Sequence, residues 1–425
     1  MSGMVSARRR REVLDALRRG TVPHNGLDLL AVGLGRFETA LDAELDSVKA
    51  GGAVFKAVRG EYGSGKTFFS RWLGERAKRL GMAVAEVQVS ETETPLHKLE
   101  TVYRRVCESL ETAEFPPSAF RPVLDAWLFA LESEGESVDA LVEKRLADVS
   151  RTTPAFAAAL RGYRNAQLSG DEATAEGLVA WLGGQPHVAA AIRRSAGVRG
   201  DLDHFGAFGF LQGLLTVLRD SGHPGLLLIL DEVETLQRVR TDVREKALNA
   251  LRQLVDEVDG GRFPGLYLLI TGTPAFFDGT QGMQRLPPLA QRLATDFTTD
   301  SKFDNPRAVQ LRLAGFSQDL LREVGSTVRD LYAGGSDSAD RVRSLVDDEY
   351  IATLASAVAG SLGGQVGVAP RVFLKKLVGD VLDRVDQFED FAPRRDYKLT
   401  VTSGDLNDVE RNAAAGSINV DDIEL

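Results

Sequence analysis

The octapeptide GEYGSGKT at residues 60–67 restricts the possible folds of this chain more than any other feature. It satisfies the pattern G-x-x-x-x-G-K-[ST], with Gly60, Gly65, Lys66 and Thr67 at the fixed positions. Glycines at those places let backbone N–H groups turn inward around phosphate oxygens, the lysine reaches the β and γ oxygens, and the hydroxyl ligates Mg²⁺. Glu61, Tyr62, Gly63 and Ser64 complete the loop, and Phe68 follows at the start of a helix whose positive N-terminal end adds to the same anion site. The expected ligands are ATP or ADP with Mg²⁺.

The flanking sequence supplies the context that such a loop requires. AVFKAV at 53–58 is a short apolar and β-branched run bounded by glycines, which reads as a buried strand. AVAEVQV at 83–89 is another, so a strand, loop, helix and strand follow one another within about 35 residues. That is a βαβ unit, and it implies an α/β fold with a parallel sheet covered on both faces. GLLLIL at 225–230 and GLYLLI at 265–270 are continuous apolar runs of the kind expected of central parallel strands, and RAVQLRL at 307–313 supplies a fifth.

The second chemical element is LLLILDE, which delivers Asp231 and Glu232 to the carboxyl end of a strand, where α/β proteins place their ligands. Asp231 is expected to hold Mg²⁺ through water, and Glu232 to orient and deprotonate the attacking water. Glu234 reads instead as a solvated or salt-bridged residue at a helix start. The acid pair favours hydrolysis over transfer to a small acceptor, and the chain contains no NKxD guanine-specificity sequence. In ITGTP, Thr271 or Thr273 lies where the neighbouring strand would present a hydroxyl to the γ-phosphate or the water, with Thr271 the favoured candidate. TGTP also has ordinary turn chemistry.

Composition narrows the class further. The 425 residues carry 51 Lys and Arg against 61 Asp and Glu, a formal net charge of −10, which argues against a general polyanion binder. The single cysteine, Cys107, cannot form an intrachain disulfide, and no run approaches the roughly 18 to 20 apolar residues of a membrane helix. A cytoplasmic protein with no membrane association is expected. Arg8–Arg11 and pairs such as Arg104-Arg105 keep a nucleic-acid reading open, to be tested by its salt dependence.

With these motifs in place, the chain resembles the AAA+ ATPases, and within them the origin-recognition and STAND-like branch. AVGLGRFETALDAEL looks like that branch's segment ahead of the loop, which would put Val32 near the adenine and Arg36 at its rim. LPPLAQRL at 286–293 matches an arginine-finger position at Arg292, with Arg285 and Arg238 as competitors. GVAPRVFLKKLV at 367–378 looks like the sensor 2 helix, matching at Arg371. A cation at a helix start is disfavoured by the dipole, so Arg371 is expected to have an anionic partner.

The wording of VLDALRRGTVPHNGLDLLAVGLGRFETALDAEL, FKAVRGEYGSGKTFFSRWL, VSETETPLHKLETVYRR and LDEVETLQRVR is closer still. It resembles the family of ATP-binding proteins, BrxD among them, of BREX bacteriophage-exclusion systems. That resemblance implies a bacterial antiphage-defence ATPase with a helicase-like partner, acting through nucleotide-dependent assembly, with a homo-oligomer expected. A slow nucleotide-gated switch or scaffold is the alternative.

The expected organisation is an N-terminal helix and linker over 1–29, an AAA+ P-loop core over 30–94 and 205–315, a helical insertion over 95–204, a helical lid over 316–390 and a tail over 391–425. The insertion follows from spacing, because roughly 165 positions separate Lys66 from Asp231, about 100 more than the intervening sheet elements need. It is expected to serve as a partner or regulatory module. About 40 residues remain beyond the sensor 2 helix, too few for a winged-helix DNA-binding domain, and the last 20 or so are expected to be mobile.

Overall fold

The computed structural model describes residues 5–133, 137–362, 370–406 and 410–411, without the side chains of Asp148, Thr152 and Ser403. The segment for which mobility is expected lies almost wholly outside them. The chain divides into two compact units, one made of Thr39–Arg59 and Arg76–Leu311, the other drawn from Met1–Glu38, Gly60–Glu75 and Arg312–Leu425.

The first unit is built on a five-stranded sheet of β1 (Val54–Arg59), β2 (Ala83–Gln88), β3 (Leu226–Asp231), β4 (Leu266–Gly272) and β5 (Gln310–Arg312), in the order β2-β3-β4-β1-β5. The β2–β3, β3–β4 and β4–β1 pairs are parallel. Every residue of β3 and β4 is buried, as strands covered on both faces must be. Register sets the chemistry at the carboxyl edge: Gln88 pairs with Asp231, Leu230 with Ile270, and Val58 with Thr271. The fifth strand is shorter than its alternating sequence suggests.

Helices alternate with and follow these strands: α1 (Ala7–Arg19), α2 (Gly35–Lys49) and α3 (Lys66–Arg79), then α4 (Leu99–Ser109) and α5 (Phe120–Glu132). Next come α6 (Val138–Arg145), α7 (Ala147–Thr152), α8 (Pro154–Ser169), α9 (Glu172–Leu182), α10 (Ala190–Ser195) and α11 (His204–Asp220). The stretch between β2 and β3 is thus helical. It shares one core with the sheet: Tyr103, Phe156 and Trp181 each present a ring edge to Phe210 of α11, at centroid distances of 5.6, 5.2 and 5.3 Å. Phe210 therefore ties α4, α8 and α9 to the helix that feeds β3, and the insertion is packed into the unit.

After β3 come α12 (Thr241–Asp259), α13 (Pro274–Asp278) and α14 (Pro287–Arg292). The second unit holds α1, the glycine-rich loop, α15 (Gln318–Ala333), α16 (Ala339–Leu345), α17 (Asp348–Ser361) and α18 (Pro370–Lys375). The last of these continues through a π-helical stretch, Lys376–Leu382, into α19 (Asp383–Gln387). Its core joins Val13 and Leu17 of α1 to Leu321, Val328, Ile351, Phe373 and Leu377. Gly325 permits the close crossing there, since a Cβ would lie 2.6 Å from Ile351 and 2.8 Å from Phe373. Arg18 donates to both Asp383 oxygens, at 2.6 and 2.9 Å, and the Tyr332 hydroxyl donates to one of them at 2.9 Å, locking α1 and α15 to the end of the composite helix.

Candidate nucleotide-binding site

Loop 60–65 takes its shape from its glycines. Gly63 and Gly65 have φ of 81° and 90°, a region that side chains with a Cβ rarely adopt. A Cβ on Gly60 would collide with the Ser64 hydroxyl. The Ser64 N–H closes the turn on the Glu61 carbonyl at 3.1 Å. Lys66, the first residue of α3, curls back to donate to the Gly60 carbonyl at 2.8 Å and the Glu61 carbonyl at 3.3 Å, with its ammonium 5.1 Å from the Tyr62 ring centre. The loop therefore encircles a buried cation at the head of a 14-residue helix, which gives it both a point charge and a helix terminus to offer an anion.

The same unit surrounds this loop with apolar and open surfaces. Val32, Phe68 and Phe316 all pack, partly buried, against its core, and the Phe316 ring passes 3.8 Å from where a Gly65 Cβ would be. Phe316 is a flat face beside the loop that the sequence pattern did not disclose. Arg36 stacks over Phe37 at 4.5 Å and donates to the Arg312 carbonyl at 3.1 Å. Thr67 and Arg71 face a cavity of about 800 Å³ whose opposite wall is Thr21, Val22, His24 and Asn25.

In the sheet unit, Asp231 and Glu232 stand at the end of β3. Asp231 is 6% exposed and accepts a hydrogen bond from the Thr271 hydroxyl, the residue following Ile270 at the end of β4. The Glu232 N–H points to the same pair, at 3.1 Å from Asp231 Oδ1 and 3.3 Å from Thr271 Oγ1. Glu232 has φ of 61°, a strained conformation for a residue with a side chain, and these two acceptors help to hold it. Its carboxylate accepts from the Gln88 amide at 2.8 Å. Gln88 escaped the sequence analysis. The available signal was positional, a polar residue at the carboxyl end of the strand flanking the acid pair.

Of the two candidate threonines, Thr271 makes the contact with Asp231, while Thr273 is a buried residue at the N-terminal boundary of α13, its side chain making no cap. Thr271→Val is expected to destabilise the protein by about 1–3 kcal/mol by leaving a buried carboxylate without its hydroxyl donor, read as a lower urea midpoint at unchanged slope. Glu234 departs from expectation. It is only 4% exposed, on the short helix Val233–Gln237, so the solvated reading is corrected: Val233 and Leu236 bury this turn and carry Glu234 inward with them.

Of the expected arginines, Arg292, Arg285 and Arg371 are tethered. Arg292 pairs with Asp256 of α12 and donates to the Pro288 carbonyl at 3.0 Å, Arg285 pairs with Glu245 at 2.9 Å, and Arg238 is exposed. Arg371 has the anionic partner that its place in the first turn of α18 demands: Nε donates to Glu410 at 2.8 Å, and Nη2 reaches Glu410 and the Asp405 carbonyl. Lys375 and Lys376 bind the Asp405 carboxylate at 2.8 and 3.1 Å. Residues 367–369 of the expected sensor 2 segment lie outside the described residues.

Burial would raise the Asp405 carboxyl, but hydrogen bonds from Lys375, the Thr402 N–H and Lys376 outweigh it and hold this group well below the usual carboxylate range. A depressed folded-state value makes the contribution present above the unfolded value of about 3.9 and lost as pH falls through the folded one. Asp405→Asn should therefore lower the urea midpoint by a constant amount from about pH 5 to 8, with the gap from wild type closing only under strong acid.

Among the described residues no group of three or more His, Cys, Asp or Glu side chains could hold a metal, and no helix is long and apolar enough to cross a membrane.

Comparison with known families settles the lineage. The family described as BREX system ATP-binding protein BrxC/D matches residues 5–401. The chain belongs to the BrxC/D family. Its glycine-rich loop, acid pair and helical insertion are all within the matched span. No curated protein shows a significant sequence match. Among solved structures, the ORC2 protein of Aeropyrum pernix, in ADPNP and ADP complexes, matches with 14% identity over 83% of this chain and 68% of that one, at a TM-score of 0.36.

Proposed function

We propose that this chain is an Mg²⁺-dependent ATPase of a bacterial BREX antiphage system, whose turnover depends on assembly. The observation that carries this reading is the paired construction at two strand ends: a glycine loop encircling Lys66, and an Asp231–Thr271–Glu232–Gln88 network. The loop N–H groups and Lys66 bind the phosphates of ATP, with Glu61, Tyr62, Gly63 and Ser64 forming the cradle. Val32, Arg36 and Phe68 flank the base. Thr67 and Asp231 would hold Mg²⁺, which when bound neutralises charge on the phosphates. Glu232 orients the attacking water and takes its proton, and Gln88 fixes that carboxylate. Thr271 positions Asp231 and lies close to the water. Arg371 senses the phosphates from α18.

Arg292 is assigned to the neighbouring subunit's nucleotide, as a finger that completes the site in a homo-oligomer. Such an arginine contributes roughly 10³ to 10⁵ in rate. Arg292→Ala should leave nucleotide affinity intact and abolish the activity that appears on assembly; normal hydrolysis by an oligomer of this variant would refute the assignment. The deciding experiment is ATPase activity over a protein concentration series with mass photometry on the same samples. Specific activity that rises together with an oligomer peak supports the assembling ATPase. Tight nucleotide binding by a monomer without turnover supports a nucleotide-gated switch, a reading favoured by one contact, since Gln88 already engages the Glu232 carboxylate. A helicase-like protein is the proposed partner.

A further inference from the structure

The sheet unit carries a second concavity, of about 770 Å³, at the amino-terminal edge of β3 and β4. Four cations line it: Lys49 at the end of α2, Arg145 at the end of α6, Arg219 in the last turn of α11, and Arg262 after α12. Two of them are neutralised locally, Arg145 by Asp220 at 3.0 Å and Arg262 by Glu257 at 2.9 Å. The side chains of Lys49 and Arg219 have no ion-pair or hydrogen-bond partner among the described residues. Cations in a final helical turn complement the dipole, but that effect needs no groove.

The groove also fixes one of these charges in place. Gly51 and Gly265, at φ of 95° and 85°, leave backbone on which the Arg219 side chain lies: a Cβ on Gly265 would sit 2.9 Å from its Cδ, and one on Gly51 3.2 Å from its Nη2. Pro264, exposed, and Pro224, half-buried, add apolar surface beside the cations. A phosphate backbone would use the charges and leave the apolar surface unanswered. A peptide alternating acidic and aliphatic residues would use both.

Such a segment is present in this chain. Residues 418–425 read INVDDIEL, placing Asp421, Asp422 and Glu424 among Ile418, Val420, Ile423 and Leu425. Residues 412–425 lie outside the described residues, and 14 residues past Arg411 span up to about 45–50 Å when extended, enough to reach another copy. We propose that the basic groove receives segment 418–425 of a second copy of this chain. The groove is thereby an assembly contact, and this inference rests on the assembling reading above. Its test measures binding directly, so it can fail while assembly-dependent hydrolysis stands.

The probe is a fluorescein-labelled peptide of residues 416–425, GSINVDDIEL, titrated by anisotropy with the full chain carrying Asp421→Asn, Asp422→Asn and Glu424→Gln so that its own segment does not compete. Saturable binding is expected, weakened at least tenfold by Lys49→Glu with Arg219→Glu, and weakened by rising salt. The peptide with the same three acids neutralised should not bind. Lys49→Gln with Arg219→Gln guards against misfolding of the charge reversal, and should show an intermediate loss with native circular dichroism. Absence of peptide binding, or binding indifferent to both groove variants, would overturn the proposal. So would a 20-base-pair duplex that binds in a groove-dependent way where the peptide does not.

Discussion

Lys66→Ala should weaken ATP and ADP binding while the protein stays folded. The ammonium of Lys66 is buried and donates to two loop carbonyls, and the loop is closed independently by the Ser64–Glu61 turn and the left-handed glycines. Removing the amine therefore spares the loop's backbone path and deletes the charge that meets the phosphates. Hydrogen bonds to charged groups contribute about 1.5–3 kcal/mol, which predicts an affinity loss of roughly 10- to 150-fold from this residue alone. The clean readout is ligand-dependent melting: at one hundred times its dissociation constant ATP stabilises by about 2.7 kcal/mol, and the variant should retain only about 0.3–1.4 kcal/mol of that at the same concentration. An undiminished shift would remove Lys66 from the phosphate site.

Glu232→Gln is expected to separate binding from chemistry. The amide is nearly isosteric, its oxygen can still accept from Gln88, and the N–H contacts to Asp231 and Thr271 belong to the backbone. Geometry is retained and the base is lost. General-base catalysis is worth about 10² to 10⁴ in rate, so steady-state hydrolysis should fall by that factor with nucleotide affinity unchanged. Gln88→Ala provides the internal comparison. It frees the carboxylate without discharging it, and any change in rate it produces reports on how Glu232 is held. A Glu232→Gln protein that hydrolyses at the wild-type rate would transfer the role of base to another group.

Much of this was readable from the sequence because the relevant signals are local. The glycine spacing, the apolar runs of β3 and β4 and the acids that end β3 each declare themselves within eight residues. The contacts that escaped are those made by topology. Gln88 meets Glu232 only because β2 lies beside β3, and Phe316 meets Gly65 across some 250 positions. The burial of Glu234 was not legible because it is imposed by neighbours on a single short turn. The partner of Arg371 was anticipated in kind from the helix dipole, but nothing in the local sequence names Glu410, 39 residues away. The insertion was legible as helix, yet its sharing of the sheet's core through Phe210 depends on rings from three separate helices.

The π-helical stretch Lys376–Leu382 has a consequence for how relatives of this chain can diverge. Bonds spanning five positions rather than four accommodate an additional residue within the turn. Deleting one residue there would restore ordinary winding and leave everything beyond it facing nearly the same way, because the wide turn absorbs the extra residue. Asp383 would keep its contacts with Arg18 and Tyr332, and Arg371, upstream, its own. A family member shortened by one residue in this stretch should therefore retain the positions equivalent to Arg18, Tyr332 and Asp383, whereas the same deletion in a regular α-helical turn would swing the following helix by about 100°.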